Sequence, residues 1–295
     1  MKWERIRIAV MLAPTLLVIS ILFFGSLLYG FLQSLGYNPN IGATDINFDA
    51  YLRVMFSEEF SGRFWSGLTL SLWVAFCSTF VSAAIAIFVA LLLRRTFFGK
   101  KLAVFFFQLN LPIPHLVIAV GMIMLFSQSG LVSRMLGELG LVTSPRDFPA
   151  LTKDAYGIGI ILAYIWKEVA FFGIIVLAIL QSLGEDYEAV AQSLGANRRE
   201  ILREVILPAA LPQILTGLQI AMPICLIVVL ITEMIMGGQG LGDSMLRSAR
   251  YVDSPGVFAG IVEIGLVGFC VIKAMEYARR RLLVWHPETR TGTTI

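Results

Sequence analysis

Charged residues are scarce in this chain of 295 residues. They make up 15% of the sequence, whereas hydrophobic residues make up 57% and the mean hydropathy is +0.80. A soluble core does not need this much apolar surface, so the composition predicts a membrane protein with several spans. The net charge of +3 is small and is spread along the chain. We therefore expect a lipid bilayer as partner and no nucleic acid.

Cysteine and histidine are also rare. Cys77, Cys225 and Cys270 stand singly inside apolar runs, where a thiol behaves as a small hydrophobic side chain. His115 and His286 are too far apart in sequence to indicate a metal site. We expect this chain to hold no metal and no cofactor of its own.

The sequence lacks the glycine-rich loop that cradles nucleotide phosphates. The nearest segment, Gly99-Lys100-Lys101, has neither the preceding glycine nor the following hydroxyl of that loop. Residues Lys167 and Glu168 form the only close ionisable pair inside an apolar run, and no catalytic motif accompanies them. We expect the chain not to be an enzyme and any ATP hydrolysis to occur in another subunit.

Six apolar runs are long enough to cross a bilayer as helices, which takes about 20 residues. They lie near residues 8–32, 66–93, 102–126, 156–181, 209–236 and 257–278. The first run is longer than a signal-peptide core and has no cleavage site, so it is predicted to be retained. The fold class is therefore all-α, a polytopic membrane protein with about six transmembrane helices. We divide it into an N-terminal span with an outer loop (1–62), a core of five spans (63–283) and a tail (284–295).

Basic residues set the predicted orientation, because short loops rich in lysine and arginine remain cytoplasmic. They are about twice as frequent in the two termini and in loops 94–101 and 184–208 as in the intervening loops. Both termini and the charged segment 184–208 are thus predicted to be cytoplasmic. Outer loop 33–62 is predicted to contain a short amphipathic helix through Tyr51, Val54 and Met55, with an ordinary loop as the alternative.

The charged segment 184–208 lies between two strongly apolar runs. Apolar residues recur in it at helical spacing, Gly195 is a plausible helix stop, and Leu207-Pro208 opens the next span. This pattern predicts two short helices joined at a glycine. An inner loop with amphipathic helices and no partner is the alternative.

This segment resembles the EAA loop in permease subunits of bacterial type I ABC importers. The matching residues are Ala189-Val190-Ala191-Gln192-Ser193-Leu194-Gly195, followed after nine residues by Val205-Ile206-Leu207-Pro208. The family pattern is Glu-Ala-Ala, three residues, Gly, nine residues, an aliphatic residue, one residue, then Leu-Pro. Ala189 stands at the glutamate position, with Glu188 just before it, and Val190 replaces the first alanine.

Other segments support the resemblance by their order and spacing. Trp166-Lys167, Phe171-Phe172 and Leu180-Gln181-Ser182-Leu183 are similar to the span that precedes the loop, and Gly237-Gly238-Gln239-Gly240-Leu241-Gly242 is similar to the outer turn after it. Leu194-Gly195-Ala196 stands where sugar permeases more often have Asp-Gly-Ala. This makes the chain resemble the polyamine, iron, sulfonate and phosphonate importers more than the sugar importers.

The resemblance implies a permease subunit whose core (63–283) forms the translocation pathway. In this family the loop is a coupling helix that docks on an ATP-binding-cassette ATPase, which binds ATP and Mg. The coupling residues implied here are Glu188, Ala189, Ala191, Leu194, Gly195, Ala196, Leu207 and Pro208. A second permease subunit, identical or homologous, and an extracytoplasmic solute-binding protein are implied as further partners in a bacterial inner membrane.

Polar residues inside the apolar runs are candidates for the solute pathway, because ionisable groups in a membrane usually face the interior of the bundle. They are Asn110, His115, Lys167, Glu168, Glu233 and Glu263. Pro112, Pro114 and Gly121 are predicted to interrupt the third run near two of them, which is how transporters commonly build solute sites. For each residue, helix packing or an interhelical hydrogen bond is the alternative.

Glu233 and Glu263 are predicted at similar depths, where two carboxylates would favour a cationic or hydroxyl-rich solute. The sequence therefore leans toward a polyamine or another amine, with sugar, sulfonate, phosphonate or iron as alternatives. A membrane-embedded enzyme and a non-transporting receptor or scaffold are the alternative functions.

Overall fold

The computed structural model describes residues 2–56, 61–94, 96–152, 154–182, 185–236 and 240–285. Regular structure in this part of the chain is helical. The α-helices are α1 (Lys2–Ser34), α2 (Asp49–Phe56), α3 (Ser61–Arg94), α4 (Lys100–Gln108), α5 (His115–Phe126), α6 (Leu131–Glu138), α7 (Ile158–Ser182), α8 (Glu185–Ser193), α9 (Arg198–Glu200), α10 (Leu207–Met236), α11 (Leu241–Arg250) and α12 (Ser254–Leu282). Short 3-10 helices cover Pro39–Ile41 and Pro145–Asp147, and a π-helix covers Ile201–Ile206.

Six helical stretches of the described chain are long and apolar enough to cross a membrane, which confirms the predicted number of spans. They are Val10–Ser34, Gly62–Arg94, His115–Glu138, Ile158–Gln181, Arg198–Ile235 and Ser254–Leu282. Four of them overlap closely with the predicted runs, and the fifth begins at Arg198, eleven residues before the predicted start at 209. The third is shifted toward the C-terminus.

The shift arises because the predicted third run, 102–126, is broken. Helix α4 ends at Gln108 and α5 begins at His115. Pro112 and Pro114 lie in between, and a proline has no N–H for the helical hydrogen bond of its turn. The interruption predicted at these prolines is confirmed, whereas the one predicted at Gly121 is wrong, since α5 runs through it.

The described chain forms two units. The first contains residues 1–65 and 244–266, and the second contains residues 66–243 and 267–295. Residues 286–295 of the predicted tail lie outside the described part. The proposed division at residues 62 and 283 stays a prediction.

The core of the second unit is formed by α3, α7 and α10. Small residues of α3 let the three helices approach closely, among them Ala75, Ala86 and Ala90, which have no exposed surface. Val74 of α3 packs with Tyr164 of α7 and with Cys225 and Val229 of α10. Burial of Cys225 in this cluster agrees with a structural role for its thiol.

In the first unit, α2 confirms the short helix predicted in the outer loop. The Tyr51 hydroxyl shares a hydrogen bond of 2.7 Å with the Ser34 hydroxyl at the end of α1. Arg53 forms an ion pair of 2.8 Å with Asp253, just before α12. Helix α1 is exposed along its apolar span, as expected for a helix that faces lipid.

Candidate functional site

The charged segment folds as two short helices joined at Gly195. Gly195 has a φ of +87°, and its N–H donates to Gln192 O, while the N–H of Ala196 donates to Ala191 O. This is the Schellman arrangement, in which a glycine ends a helix in the left-handed region. The helix stop predicted at Gly195 is confirmed.

A capping box begins the second short helix. The Asn197 side chain accepts hydrogen bonds from the N–H groups of Arg199 and Glu200, and the Glu200 carboxylate accepts one from the N–H of Asn197. Three amide N–H groups at the start of the helix are thereby satisfied. The turn from Leu194 to Arg198 is therefore fixed by backbone and capping bonds on both sides.

The two faces of this segment differ. Ala191 and Ala196 pack against the core cluster that contains Ile201 and Ile206. Val190 and Leu194 are 60% and 83% exposed. The segment thus presents an apolar tip, formed by Val190 and Leu194, on a base that is anchored in the second unit.

The remaining predicted coupling residues take various positions. Ala189 is exposed in α8, Leu207 is half-buried at the start of α10, and Pro208 beside it is exposed. Pro208 follows the π-helix, where Leu207 N–H donates to Leu202 O. The backbone of Glu188 is in α8, but its side chain lies outside the described part of the structure.

A small cavity of about 10 Å³ lies in the second unit beside the broken third run. Drug-sized ligands occupy pockets of about 300–1,000 Å³, whereas this cavity has room for about one water molecule. It is lined by His115, Ile118 and Ala119 of α5, Ala163, Tyr164 and Lys167 of α7, and Val228 and Thr232 of α10. The hydroxyl of Tyr164 has no hydrogen-bond partner among the described residues.

Four predicted pathway residues meet at this cavity or next to it. His115 and Lys167 line it, and Glu168 Oε1 is 3.6 Å from His115 Nε2. Asn110 Nδ2 donates to the carbonyl oxygen of Trp166 at 2.5 Å. Lys167 Nζ donates to carbonyl oxygens of the break between α4 and α5. The break and the middle of α7 are thus joined by polar contacts.

Glu233 occupies a separate buried position near the end of α10. Its Oε1 accepts a hydrogen bond of 2.7 Å from Ser71 Oγ, and its Oε2 accepts one of 3.0 Å from the N–H of Gly242. Ser71 Oγ in turn accepts from the N–H of Leu241 at 3.2 Å. The carboxylate is therefore engaged in interhelical hydrogen bonds, as the alternative interpretation of Glu233 describes.

At the described end of the glycine-rich outer turn, close packing explains why the residues are glycines. A side chain added at Gly240 would occupy the position of the Glu233 carboxylate, and one added at Gly242 would meet Leu230 O. Gly237, Gly238 and Gln239 lie outside the described residues.

Glu263 is buried in α12, in the first unit, and its Oε1 has no hydrogen-bond partner among the described residues. Its pairing with Glu233 in one vestibule stays a prediction.

Tyr164, Thr232 and Ser71 were not among the predicted site residues. Tyr164 precedes Lys167 by three residues, which places both on one face of α7. Ser71 recurs with Ser78 and Ser82 in a largely apolar span, a spacing that marks one helix face. These two spacings could have identified Tyr164 and Ser71 from the sequence. No comparable spacing identifies Thr232.

The family model described as "Binding-protein-dependent transport system inner membrane component" matches residues 82–284, from α3 to the end of α12. This chain belongs to that family. The family and the six apolar helices make the chain a multi-pass inner membrane component. The family resemblance identified from the charged segment is confirmed.

Curated relatives of this inner membrane component are named as permeases. The chain is 34% identical to the taurine transport system permease protein TauC of Escherichia coli over 52% of this chain and 57% of that protein. It is 29% identical to the probable ABC transporter permease protein y4oQ of Sinorhizobium fredii over 72% of this chain and 69% of that protein. The chain thus spans little more than half the length of the taurine permease.

A solved structure confirms the predicted fold class. One chain of a bacterial ABC transporter involved in the import of the acidic polysaccharide alginate matches with a TM-score of 0.77 at 21% identity, and the match covers 95% of this chain and 99% of that one. The chain therefore has the fold of an ABC importer transmembrane domain.

Proposed function

We propose that this chain is a permease subunit that forms part of the pathway of an ABC importer. The observation that carries the proposal is the anchored segment 185–206, whose apolar tip projects from the second unit without burial in it. A separate ATPase subunit that binds ATP and Mg would receive the tip and move it. The spans would then alternate between outward and inward access.

The proposed assembly contains a second permease subunit, identical or homologous, and an extracytoplasmic solute-binding protein. Both termini and the segment 185–206 would face the cytoplasm, as the distribution of basic residues favours. Membership of a transport family favours this function over a membrane-embedded enzyme or a scaffold. The test is co-purification of the tagged protein from its native host, followed by ATPase assays with solute. An assembly that never contains an ATP-binding subunit would contradict the proposal.

Replacement of Leu194 with aspartate should weaken binding of the ATPase subunit by about tenfold or more, because an apolar anchor contributes about 1.5–3 kcal/mol when buried. Leu194 is 83% exposed, so the fold should be unaffected. The measurement is the amount of ATPase subunit retained on the purified permease at graded salt. Leu139→Asp is the matched control, since Leu139 is 72% exposed at the end of α6. Equal retention in both variants would refute the docking role.

For the solute, we propose a small sulfonate rather than a polyamine. The taurine permease among the relatives supports this class. Lys167 adds a positive charge to the cavity wall, which disfavours a cationic solute, and Glu233 is already engaged in hydrogen bonds. The polyamine hypothesis depended on Glu233 and Glu263 together, and the hydrogen bonds of Glu233 weaken it.

We expect the partner binding protein to bind taurine or a similar sulfonate at least about 100-fold more tightly than putrescine, a difference of about 2.7 kcal/mol. Isothermal titration of the purified binding protein measures both affinities. A preference for putrescine would overturn the sulfonate proposal and restore the polyamine. It would leave the importer function intact.

A further inference from the structure

Lys167 has an unusual set of partners for a buried cation. Its side-chain nitrogen Nζ donates hydrogen bonds to the carbonyl oxygens of Asn110 at 2.8 Å, Leu111 at 2.7 Å and Ile113 at 2.8 Å. The residue is 6% exposed. All three acceptors belong to the backbone of the break between α4 and α5.

The prolines leave carbonyl groups of the break short of backbone donors, because Pro112 and Pro114 have no N–H to offer. The Asn110 carbonyl oxygen accepts from the N–H of Ile113 at 3.3 Å, whereas no described backbone N–H donates to the carbonyl oxygens of Leu111 and Ile113. In the hydrocarbon region no water replaces the missing donor, so each unsatisfied group is costly. The Lys167 ammonium supplies a donor to both of these carbonyls and a second donor to the Asn110 carbonyl.

The contact is reciprocal. Asn110 Nδ2 donates to the carbonyl oxygen of Trp166, while Lys167 Nζ donates to the carbonyl oxygen of Asn110. Two consecutive residues of α7 therefore hold the same residue of the break. This arrangement fixes the segment that leads into His115, the first residue of α5.

An ammonium group has three N–H donors, and here carbonyl oxygens accept from all three. Lys167 therefore keeps its charge at the cavity wall but has no donor left for a solute. Carbonyls of an unwound membrane helix coordinate free cations in other transporters. In this chain a tethered ammonium occupies such a carbonyl site.

We propose that Lys167 is a positioning residue: its ammonium fills a carbonyl cradle formed by Asn110, Leu111 and Ile113, and thereby holds the start of α5 against α7. The cradle fixes His115, Ile118 and Ala119 on one wall of the cavity opposite Tyr164. The expected effect on transport rests on the proposed function. The carbonyl cradle rests on the hydrogen bonds of Lys167 alone.

The test uses the purified assembly and the variant Lys167→Ala, with n-propylammonium as the probe. This ion replaces the three carbons and the ammonium that the substitution removes. Tetramethylammonium, which is charged but has no N–H, and n-propanol, which has no charge, are the matched control solutes. Lys273→Ala is the control variant, because Lys273 is an exposed lysine of α12 paired with Glu276.

We expect Lys167→Ala to lower the kcat of solute-stimulated ATP hydrolysis by about tenfold or more, as expected when buried acceptors lose a charged donor. The KM for the loaded binding protein should change less than twofold. n-Propylammonium should restore at least about half of the rate and raise the thermal unfolding temperature, since a ligand bound only to the native state stabilises it. The two control solutes should do neither, and Lys273→Ala should behave like the unmodified protein.

Two results would overturn the proposal. One is a raised KM with unchanged kcat and no response to the amine, which would make Lys167 a solute ligand. The other is Lys167→Ala with wild-type activity and stability.

If Lys167→Ala does not accumulate in the membrane, Lys167→Gln keeps two N–H donors without the charge. It should unfold at a temperature below that of the unmodified protein and gain stability from n-propylammonium, and the absence of both effects would refute the cradle. If the unmodified assembly shows no solute-stimulated hydrolysis, the proposed function fails, while the unfolding measurements still decide the role of Lys167.

Discussion

Replacement of Gly195 with valine should abolish solute-stimulated ATP hydrolysis while the protein remains in the membrane. Gly195 has a φ of +87°, a region that a β-branched residue adopts only at a cost of about 1–3 kcal/mol. The Schellman bonds of Gln192 and Ala191 would be lost as the backbone leaves this region. The apolar tip at Leu194 would then no longer be held in place on the core.

A valine substitution at a second glycine distinguishes the effect of backbone strain alone from the effect of a misplaced apolar tip. Gly99 has a φ of +85° and, like Gly195, has open space where a Cβ would lie, so Gly99→Val imposes the same backbone cost at the start of α4. We expect Gly99→Val to retain stimulated hydrolysis. ATPase assays in proteoliposomes compare the two variants, with membrane content checked by immunoblot. Full stimulation of Gly195→Val would show that the turn does not transmit movement.

Replacement of Glu233 with alanine should destabilise the protein strongly. Ser71 Oγ and Gly242 N–H would both lose their acceptor in a buried site, and each unsatisfied group costs about 1–3 kcal/mol. We expect the thermal unfolding temperature to fall by roughly 5–10 °C in detergent. Glu276→Ala is the control, because Glu276 pairs with Lys273 and Arg280 at the surface and its loss should have little effect.

A double-mutant cycle with Ser71→Ala tests the network itself. Once Glu233 is alanine, removal of the Ser71 hydroxyl should cost less than it does alone, because the bond between the two residues is already lost and only the bond from Leu241 N–H remains to be broken. Additive effects of the two substitutions would show that the bond contributes nothing to stability.

Features carried by local sequence were predictable. The six spans follow from the length of apolar runs, the helix stop at Gly195 follows from glycine's access to the left-handed region, and the break follows from Pro112 and Pro114. The charged segment 184–208 was identified from spacing because its glycine and Leu-Pro positions are fixed along one stretch of chain. All of these depend on residues fewer than about thirty apart.

Long-range contacts were not predictable in the same way. The partner of Glu233 is Ser71, 162 residues earlier, and nothing in either neighbourhood indicates the pairing. The partners of Lys167 are backbone carbonyls, which every residue has, so no side chain identifies them. The third span was misplaced for a local reason, since α4 ends at Gln108 and the next helix begins only at His115.

The junction between α9, the π-helix and α10 has a mechanical consequence. These elements form one helical stretch of 38 residues, from Arg198 to Ile235, with Pro212 and Pro223 inside it. It corresponds to a rod with a contour length of about 57 Å at 1.5 Å per residue. The hydrocarbon core is about 30 Å thick, so a large part of the rod extends beyond it. A tilt of about 5° at one end displaces the other by about 5 Å. Movement imposed on the turn at Gly195 would thus act on a lever arm with no intervening loop to absorb it.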